Sequence, residues 1–149
     1  MLPLNLFLYF SDSKNIKIQK MASEAKHPAG LKIMFFTEMW ERFGFYLLLG
    51  ILQLYLTDAE NGGMAMERKS AADIYGTFIA LVYLTPFLGG LLADRKWGYS
   101  KSITIGGILM GLGYLGLAIG TIPTFYASLG LIIIGNGFFK PNISTLVGN

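Results

Sequence analysis

Long apolar segments alternate with short polar ones along most of the chain. Four segments are long enough to cross about 30 Å of hydrocarbon as helices, and they cover about residues 31–56, 74–93, 102–122 and 124–149. Only residues 121–124 separate the last two segments, so these must form an antiparallel helical hairpin. The pattern therefore predicts an all-α membrane protein with about four transmembrane helices.

The first twenty residues do not continue this pattern. Residues 1–10 are apolar, but ten residues are too few to span a bilayer. The lysines follow this run instead of preceding it, which is the reverse of a secretory signal peptide. Met21 offers a more natural start, so we interpret residues 1–20 as a tail or a start-site artefact. Residues 1–30 are then an N-terminal tail, and 31–149 hold the helices.

Lysine and arginine are concentrated in alternate loops. The segment before the first helix and the loop after the second are rich in them, whereas the loop after the first balances two basic residues with four acidic ones. Such residues favour the cytoplasmic side of a membrane. We therefore expect a multi-pass protein of the plasma (inner) membrane, with its N-terminus and its second loop in the cytoplasm.

Composition agrees with a membrane protein. Hydrophobic residues make up 53% of the chain and charged residues only 14%, against about a quarter in soluble proteins. The chain has no cysteine, which excludes disulfide frameworks and thiolate metal sites. No nucleophile–base pair, phosphate-binding loop or metal-ligand cluster is recognisable. We therefore predict no enzyme activity, no cofactor and no nucleic-acid partner.

Three charges lie inside the first apolar segment, at Glu38, Glu41 and Arg42. Each costs about 2.5–3.5 kcal/mol in hydrocarbon, so they must face protein or water. On a helix they share one stripe with Phe45 and Tyr46. The i,i+4 spacing favours an ion pair from Glu38 to Arg42, which leaves Glu41 in need of a partner, a proton or water. The alternative is a purely structural ion cluster, or charges that snorkel to the surface.

A further intramembrane charge, Lys140, precedes Pro141 in the fourth segment. Proline removes a backbone donor and is expected to kink this helix. At 1.5 Å per residue, Arg42 and Lys140 lie about 16 Å and about 13 Å from the cytoplasmic boundary. If they line one cavity with Glu38 and Glu41, the formal charges cancel. Protonation of one glutamate would then leave the site positive and able to accept a carboxylate, which couples proton and anion binding.

The third segment contains six glycines, among them Gly107 and Gly111, and Gly116 and Gly120. Small residues at four-residue spacing let membrane helices approach closely. We predict a packing role for these glycines and no chemistry.

Three motifs on the predicted helices resemble one known family. Glu38-x-x-Glu41-Arg42-Phe43-x-Phe45-Tyr46 is similar to the E-x-x-E-R-F-x-Y-Y signature of the proton-dependent oligopeptide transporter family, within the major facilitator superfamily. Gly89-Gly90-Leu91-Leu92-Ala93-Asp94-Arg95 resembles the loop motif of the superfamily, and Phe139-Lys140-Pro141-Asn142 resembles the family's F-K-P-N. The likeness covers about residues 27–149.

The resemblance implies roles for individual residues. It implies proton coupling by Glu38 and Glu41, and attraction of the peptide carboxylate by Arg42 and Lys140. The remaining residues would line the peptide pocket (Tyr46 and, by looser alignment, Tyr83) or serve cytoplasmic gating (Gly90, Asp94 and Arg95). Phe45 departs from the signature, which has tyrosine there, so the hydrogen bond of that hydroxyl cannot form here.

The resemblance also implies a twelve-helix fold made of two six-helix halves. The chain would then be part of the N-terminal half of a proton-coupled di- or tripeptide symporter, inactive alone. Its partners would be a small peptide, the lipid bilayer and the remainder of the transporter. Two alternatives stay open: a proton-coupled transporter of nitrate or another small anion on the same fold, and a four-helix membrane subunit that transports nothing.

Overall fold

A computed structural model describes residues 29–148 of the chain. Within this range the elements are helical: α1 (Ala29–Thr57), α2 (Arg68–Leu92), a π-helical turn (Ala93–Trp97), α3 (Tyr99–Leu117) and α4 (Ile122–Gly148). The predicted all-α fold with four long helices is confirmed. Of the predicted tail over residues 1–30, residues 1–28 lie outside the described residues, and the last two belong to α1.

The largest differences from the predicted helix bounds are at the start of α2 and at the end of α3. Helix α2 begins at Arg68, before the apolar segment that starts at Ile74, because backbone hydrogen bonding continues into the polar sequence. Helix α3 ends at Leu117, short of the predicted residue 122, and Gly120 turns the chain with a φ of 74°. Two stretches among the described residues, Arg68–Arg95 and Ile122–Leu146, are long and apolar enough to cross a membrane.

Helix α4 packs against both α2 and α3, and α1 joins them through its side chains. One face of α1 carries buried residues at spacings of three and four, the helical period of an apolar stripe. The Phe45 ring lies 6.4 Å from the Phe78 ring of α2, and the Tyr55 ring lies 5.7 Å from the Phe125 ring of α4, centroid to centroid. The buried members of this α1 face are Phe45, Leu48, Leu52 and Leu56.

Glycines allow the backbone of α4 to approach its neighbours. A Cβ atom on Gly89 of α2 would overlap the carbonyl oxygen of Gly137. On α3, a Cβ on Gly106 would lie 2.7 Å from the carbonyl oxygen of Gly135. These contacts are closer than side chains other than hydrogen permit, so α4 is held between α2 and α3 at glycine positions.

Only some of the glycines predicted to pack closely in the third segment do so. Nothing lies within 4 Å of a Cβ placed on Gly111 or Gly120, and on Gly107 it would make only ordinary contact. The close contacts are instead made by Gly106, Gly113 and, against Ser128, Gly116. The four-residue spacing was wrong for Gly107–Gly111 because the face that meets α4 is one residue away around the helix.

We expect Gly89→Ala to destabilise the protein by about 1–3 kcal/mol, because the new methyl group must displace the Gly137 carbonyl. Gly76 lies on the same helix, and nothing lies within 4 Å of a Cβ placed on it. Gly76→Ala is the matched control and should stabilise by about 0.5–1 kcal/mol through helix propensity. The free energy of unfolding by SDS titration in mixed micelles measures both; equal effects of the two substitutions would contradict the packing described.

The α1–α2 loop is a folded turn built on Asp58. The Asn61 backbone N–H donates to Asp58 Oδ2 over 2.8 Å, and Asn61 Nδ2 donates to Oδ1 over 3.1 Å. The backbone N–H of Met64 returns to the Tyr55 carbonyl at the end of α1. The hydrogen bonds from Asn61, that from its backbone above all, lower the pKa of Asp58 below its usual value.

A lowered pKa in the folded state means that this turn gains stability above the unfolded value of about 3.9. That stability is lost as the pH falls through the folded pKa. The amide resonance of Asn61 should therefore titrate with a midpoint below about 3.9. The same resonance should not titrate in Asp58→Asn. A wild-type midpoint at or above the unfolded value would rule out the hydrogen-bonded turn.

Candidate functional site

The charged cluster of α1 forms around Arg42. Its Nη2 lies 2.9 Å from Glu38 Oε1, and its Nε lies 3.9 Å from Glu41 Oε2. The Glu38–Arg42 pair has the predicted i,i+4 spacing, and both side chains are about one-third exposed. Arg42 therefore binds mainly Glu38, while its interaction with Glu41 is long.

Glu41 turns into the interior of the helix unit. Its side chain is 7% exposed, and Asn136 of α4 donates a hydrogen bond from Nδ2 to Glu41 Oε1 over 3.2 Å. Asn136 is itself 1% exposed. Glu41 thus has the partner that the sequence left open, and this partner is an uncharged amide.

The predicted polar stripe of α1 is divided between two environments. Phe45 lies in the core with Glu41, whereas Tyr46 is 60% exposed and its hydroxyl lies beside the Arg42 guanidinium. The helical spacing was right, but a stripe this wide covers both the inner and the outer surface of the described unit. Glu41 and Arg42 are adjacent in sequence and face different surroundings.

Lys140 connects the α1 cluster to α2. Its Nζ lies 5.0 Å from the centre of the Tyr83 ring, within the range of a cation–π contact. Its ammonium group also interacts electrostatically with the Glu41 carboxylate. Side chains from α1, α2 and α4 therefore meet here, and the formal charges of Glu38, Glu41, Arg42 and Lys140 sum to zero.

Helix α4 continues through Pro141 to Gly148. Proline cannot donate to the Gly137 carbonyl, and this carbonyl is the one packed against Gly89. Asn142 Nδ2 donates to the next carbonyl, that of Phe138, over 2.6 Å. The loosened turn is therefore supported by neighbouring groups, and the kink at Pro141 stays a prediction.

The predicted gating residues lie in the last turns of α2 and in the π-helical turn that follows it. Gly90 faces Pro141, and a Cβ on Gly90 would contact the Pro141 ring at 3.5 Å. Asp94 and Arg95 are exposed in the π-helical turn, and the Tyr99 hydroxyl lies within hydrogen-bonding reach of Asp94. The structure places these residues at the α2–α3 connection, apart from the ion pairs of α1.

Sequence reasoning missed two residues of the site, Asn136 and Tyr114. Asn136 precedes Lys140 by four residues, so it lies on the same face of α4 one turn away. That spacing could have identified it. Tyr114 lies over Gly44 of α1, 3.6 Å from a Cβ placed there, and its position in α3 gave no comparable signal.

The arrangement supports proton binding and anion binding at neighbouring points. A buried carboxylate with a neutral partner can take up a proton without leaving its hydrogen bond. Uptake of a proton by Glu41 would remove one of the two negative charges that balance Arg42 and Lys140. The site would then carry a net positive charge, which favours the binding of an anion. The charge-balance coupling inferred from the sequence stays a prediction.

Similar proteins are transporters. No family model matches the chain. It is 44% identical over 126 residues to the di-/tripeptide transporter of Lactococcus lactis subsp. lactis (strain IL1403), which covers 82% of this chain and 25% of that protein. It is 43% identical over 125 residues to the uncharacterized transporter YclF of Bacillus subtilis (strain 168), over 83% of this chain and 25% of that one.

The fold matches solved structures over the same portion. A crystal structure of the peptide transporter POT in complex with sulfate superposes with a TM-score of 0.80 at 40% identity, over 84% of this chain and 26% of that one. The chain therefore spans about a quarter of the length of the transporters it matches.

Proposed function

We propose that the chain belongs to the proton-dependent oligopeptide transporter family and that it supplies the N-terminal part of a symporter that moves di- and tripeptides with protons. The chain is an integral, multi-pass membrane protein. We place its N-terminus in the cytoplasm, because the lysine and arginine distribution favours that orientation, and we place the protein in the plasma membrane.

The convergence of Glu41 and Lys140 carries this proposal. The buried Glu41 carboxylate on α1 interacts electrostatically with the Lys140 ammonium group on α4, and Arg42 Nε lies 3.9 Å from the same carboxylate. Ionised groups at membrane depth are costly and are expected at transport pathways. The similar Lactococcus lactis protein is named a di-/tripeptide transporter, and the superposed structure with sulfate is that of a peptide transporter.

We assign separate roles to the groups of the site. Glu41, with Glu38, exchanges protons, and Arg42 and Lys140 attract the carboxylate of the peptide. Tyr46 and Tyr83 contact the substrate, and both rings are more than half exposed. Protons are the coupling ions, and the proposal requires neither a cofactor nor a catalytic step.

The test uses a chimaera in which residues 29–149 replace the matching segment of the Lactococcus lactis di-/tripeptide transporter. Purified chimaera in proteoliposomes should accumulate labelled dipeptide when the outside is made acidic, and excess unlabelled dipeptide should compete. Excess nitrate should not compete. A folded chimaera without dipeptide uptake would refute the proposal, and competition by nitrate would favour the small-anion alternative.

A further inference from the structure

Two glutamates of the α1 cluster have different partners. Glu38 is bound to Arg42 on its own helix over 2.9 Å. Glu41 receives its nearest hydrogen bond from α4, through Asn136, and lies 3.9 Å from Arg42. The residue that donates a hydrogen bond to Glu41 is therefore on another helix, and it belongs to none of the family-like motifs in the sequence.

Two buried polar atoms beside Glu41 have no hydrogen-bond partner in the described part of the chain. They are Asn136 Oδ1 and the Tyr114 hydroxyl. Buried polar atoms are nearly always paired, so such exceptions call for an explanation. Asn136 contacts Glu41 directly. The Tyr114 hydroxyl of α3 lies 3.6 Å from a Cβ placed on Gly44, which follows Glu41 by three residues on α1.

The surroundings of Glu41 include groups from every helix of the described unit. Arg42 and Glu38 face it from α1, Tyr114 from α3, and Asn136 and Lys140 from α4. Helix α2 contributes Tyr83 through Lys140. Asn136 is distinctive here because one amide carries a donor and an acceptor.

We propose that Asn136 and Tyr114 are positioning residues that keep Glu41 hydrogen-bonded in both of its protonation states. With the carboxylate, Asn136 Nδ2 donates to Glu41 Oε1, as in the structure. When Glu41 is protonated, the amide turns about its Cβ–Cγ bond, and Oδ1 accepts the hydrogen bond from the new carboxyl O–H. In each state one atom of the Asn136 amide faces away from Glu41. The Tyr114 hydroxyl hydrogen-bonds to that atom through one bridging water.

The proton step balances simply. Hydronium gives its proton to Glu41 and becomes water, and one O–H bond forms as another breaks. The net change at the site is the loss of one negative charge. Because the amide supplies a partner before and after, the buried glutamate need not leave its position in order to exchange the proton. This inference rests on the proposed coupling role of Glu41.

Infrared spectroscopy of the 149-residue chain in nanodiscs tests the inference without peptide or transport. The carboxyl C=O band of Glu41 is assigned at acidic pH by its loss in Glu41→Gln. In Asn136→Leu this band should shift to higher frequency, because the carboxyl group loses its amide partner. Asn142→Leu is the matched control: Asn142 is equally buried on α4 and bonded to Phe138, and the Glu41 band should not move.

Each result decides. A shift in Asn136→Leu and none in Asn142→Leu supports the proposal. An unmoved band in Asn136→Leu, or equal shifts in both variants, overturns it. If circular dichroism shows that Asn136→Leu is unfolded, Tyr114→Phe decides, because only a hydroxyl is removed: a shift supports the proposal and an unmoved band overturns it. Dipeptide uptake by the chimaera is independent of these spectra, so the proposed function and this inference can fail separately.

Discussion

Glu41→Gln should abolish proton-driven accumulation of dipeptide in the chimaera while exchange of internal for external dipeptide continues. Glutamine keeps the size of the side chain and can still bond to Asn136, but it cannot change charge. Proton and peptide binding are then no longer coupled, so a pH gradient should not concentrate labelled dipeptide above its external level. Uptake and counterflow of labelled dipeptide measure the two processes.

The matched control is Glu67→Gln, which removes an exposed carboxylate just before α2, away from the cluster. Its accumulation should equal that of the parent chimaera. If Glu41→Gln still accumulates dipeptide against a gradient, Glu41 is not a coupling residue. If counterflow is lost as well, Glu41 serves binding or folding rather than coupling.

Lys140→Gln should weaken the binding of a dipeptide with a free C-terminal carboxylate by about 30-fold or more. Loss of one member of a buried charge pair costs about 2–5 kcal/mol, and 1.4 kcal/mol corresponds to a factor of ten. A dipeptide with a C-terminal amide lacks that pair and should bind parent and variant alike. Affinities by isothermal titration calorimetry give the comparison.

Lys101→Gln provides the control, since Lys101 is an exposed lysine in the first turns of α3. It should leave both affinities unchanged. If Lys140→Gln weakens the free dipeptide and its amide equally, Lys140 shapes the pocket without recognising the carboxylate.

The helices and the Glu38–Arg42 pair could be predicted because both depend on local spacing. Apolar segments long enough to span a bilayer fix where helices occur, and i,i+4 neighbours meet on any helix. The predicted start of α2 and the predicted end of α3 were less accurate. Hydrophobicity marks which residues lie in the bilayer, and it does not mark where helical hydrogen bonding begins or stops.

The partners of Glu41 could not be predicted in the same way. Asn136 reaches Glu41 from 95 positions along the chain, and this contact depends on how α4 lies against α1. The packing also depends on glycine contacts such as Gly89 with Gly137, where the closest approach follows the rotation of each helix about its axis. Sequence spacing defines a face, but the neighbour opposite that face is set by the tertiary packing.

The central claim is that a proton on Glu41 and a carboxylate near Lys140 favour each other's binding. The most direct measurement is the affinity of the chimaera for a dipeptide and for its C-terminal amide as a function of pH. The account predicts that the free dipeptide binds more tightly as the pH falls, that the amide does not, and that Glu41→Gln removes the difference. Equal pH dependence for both ligands, or a dependence that survives in Glu41→Gln, would contradict it.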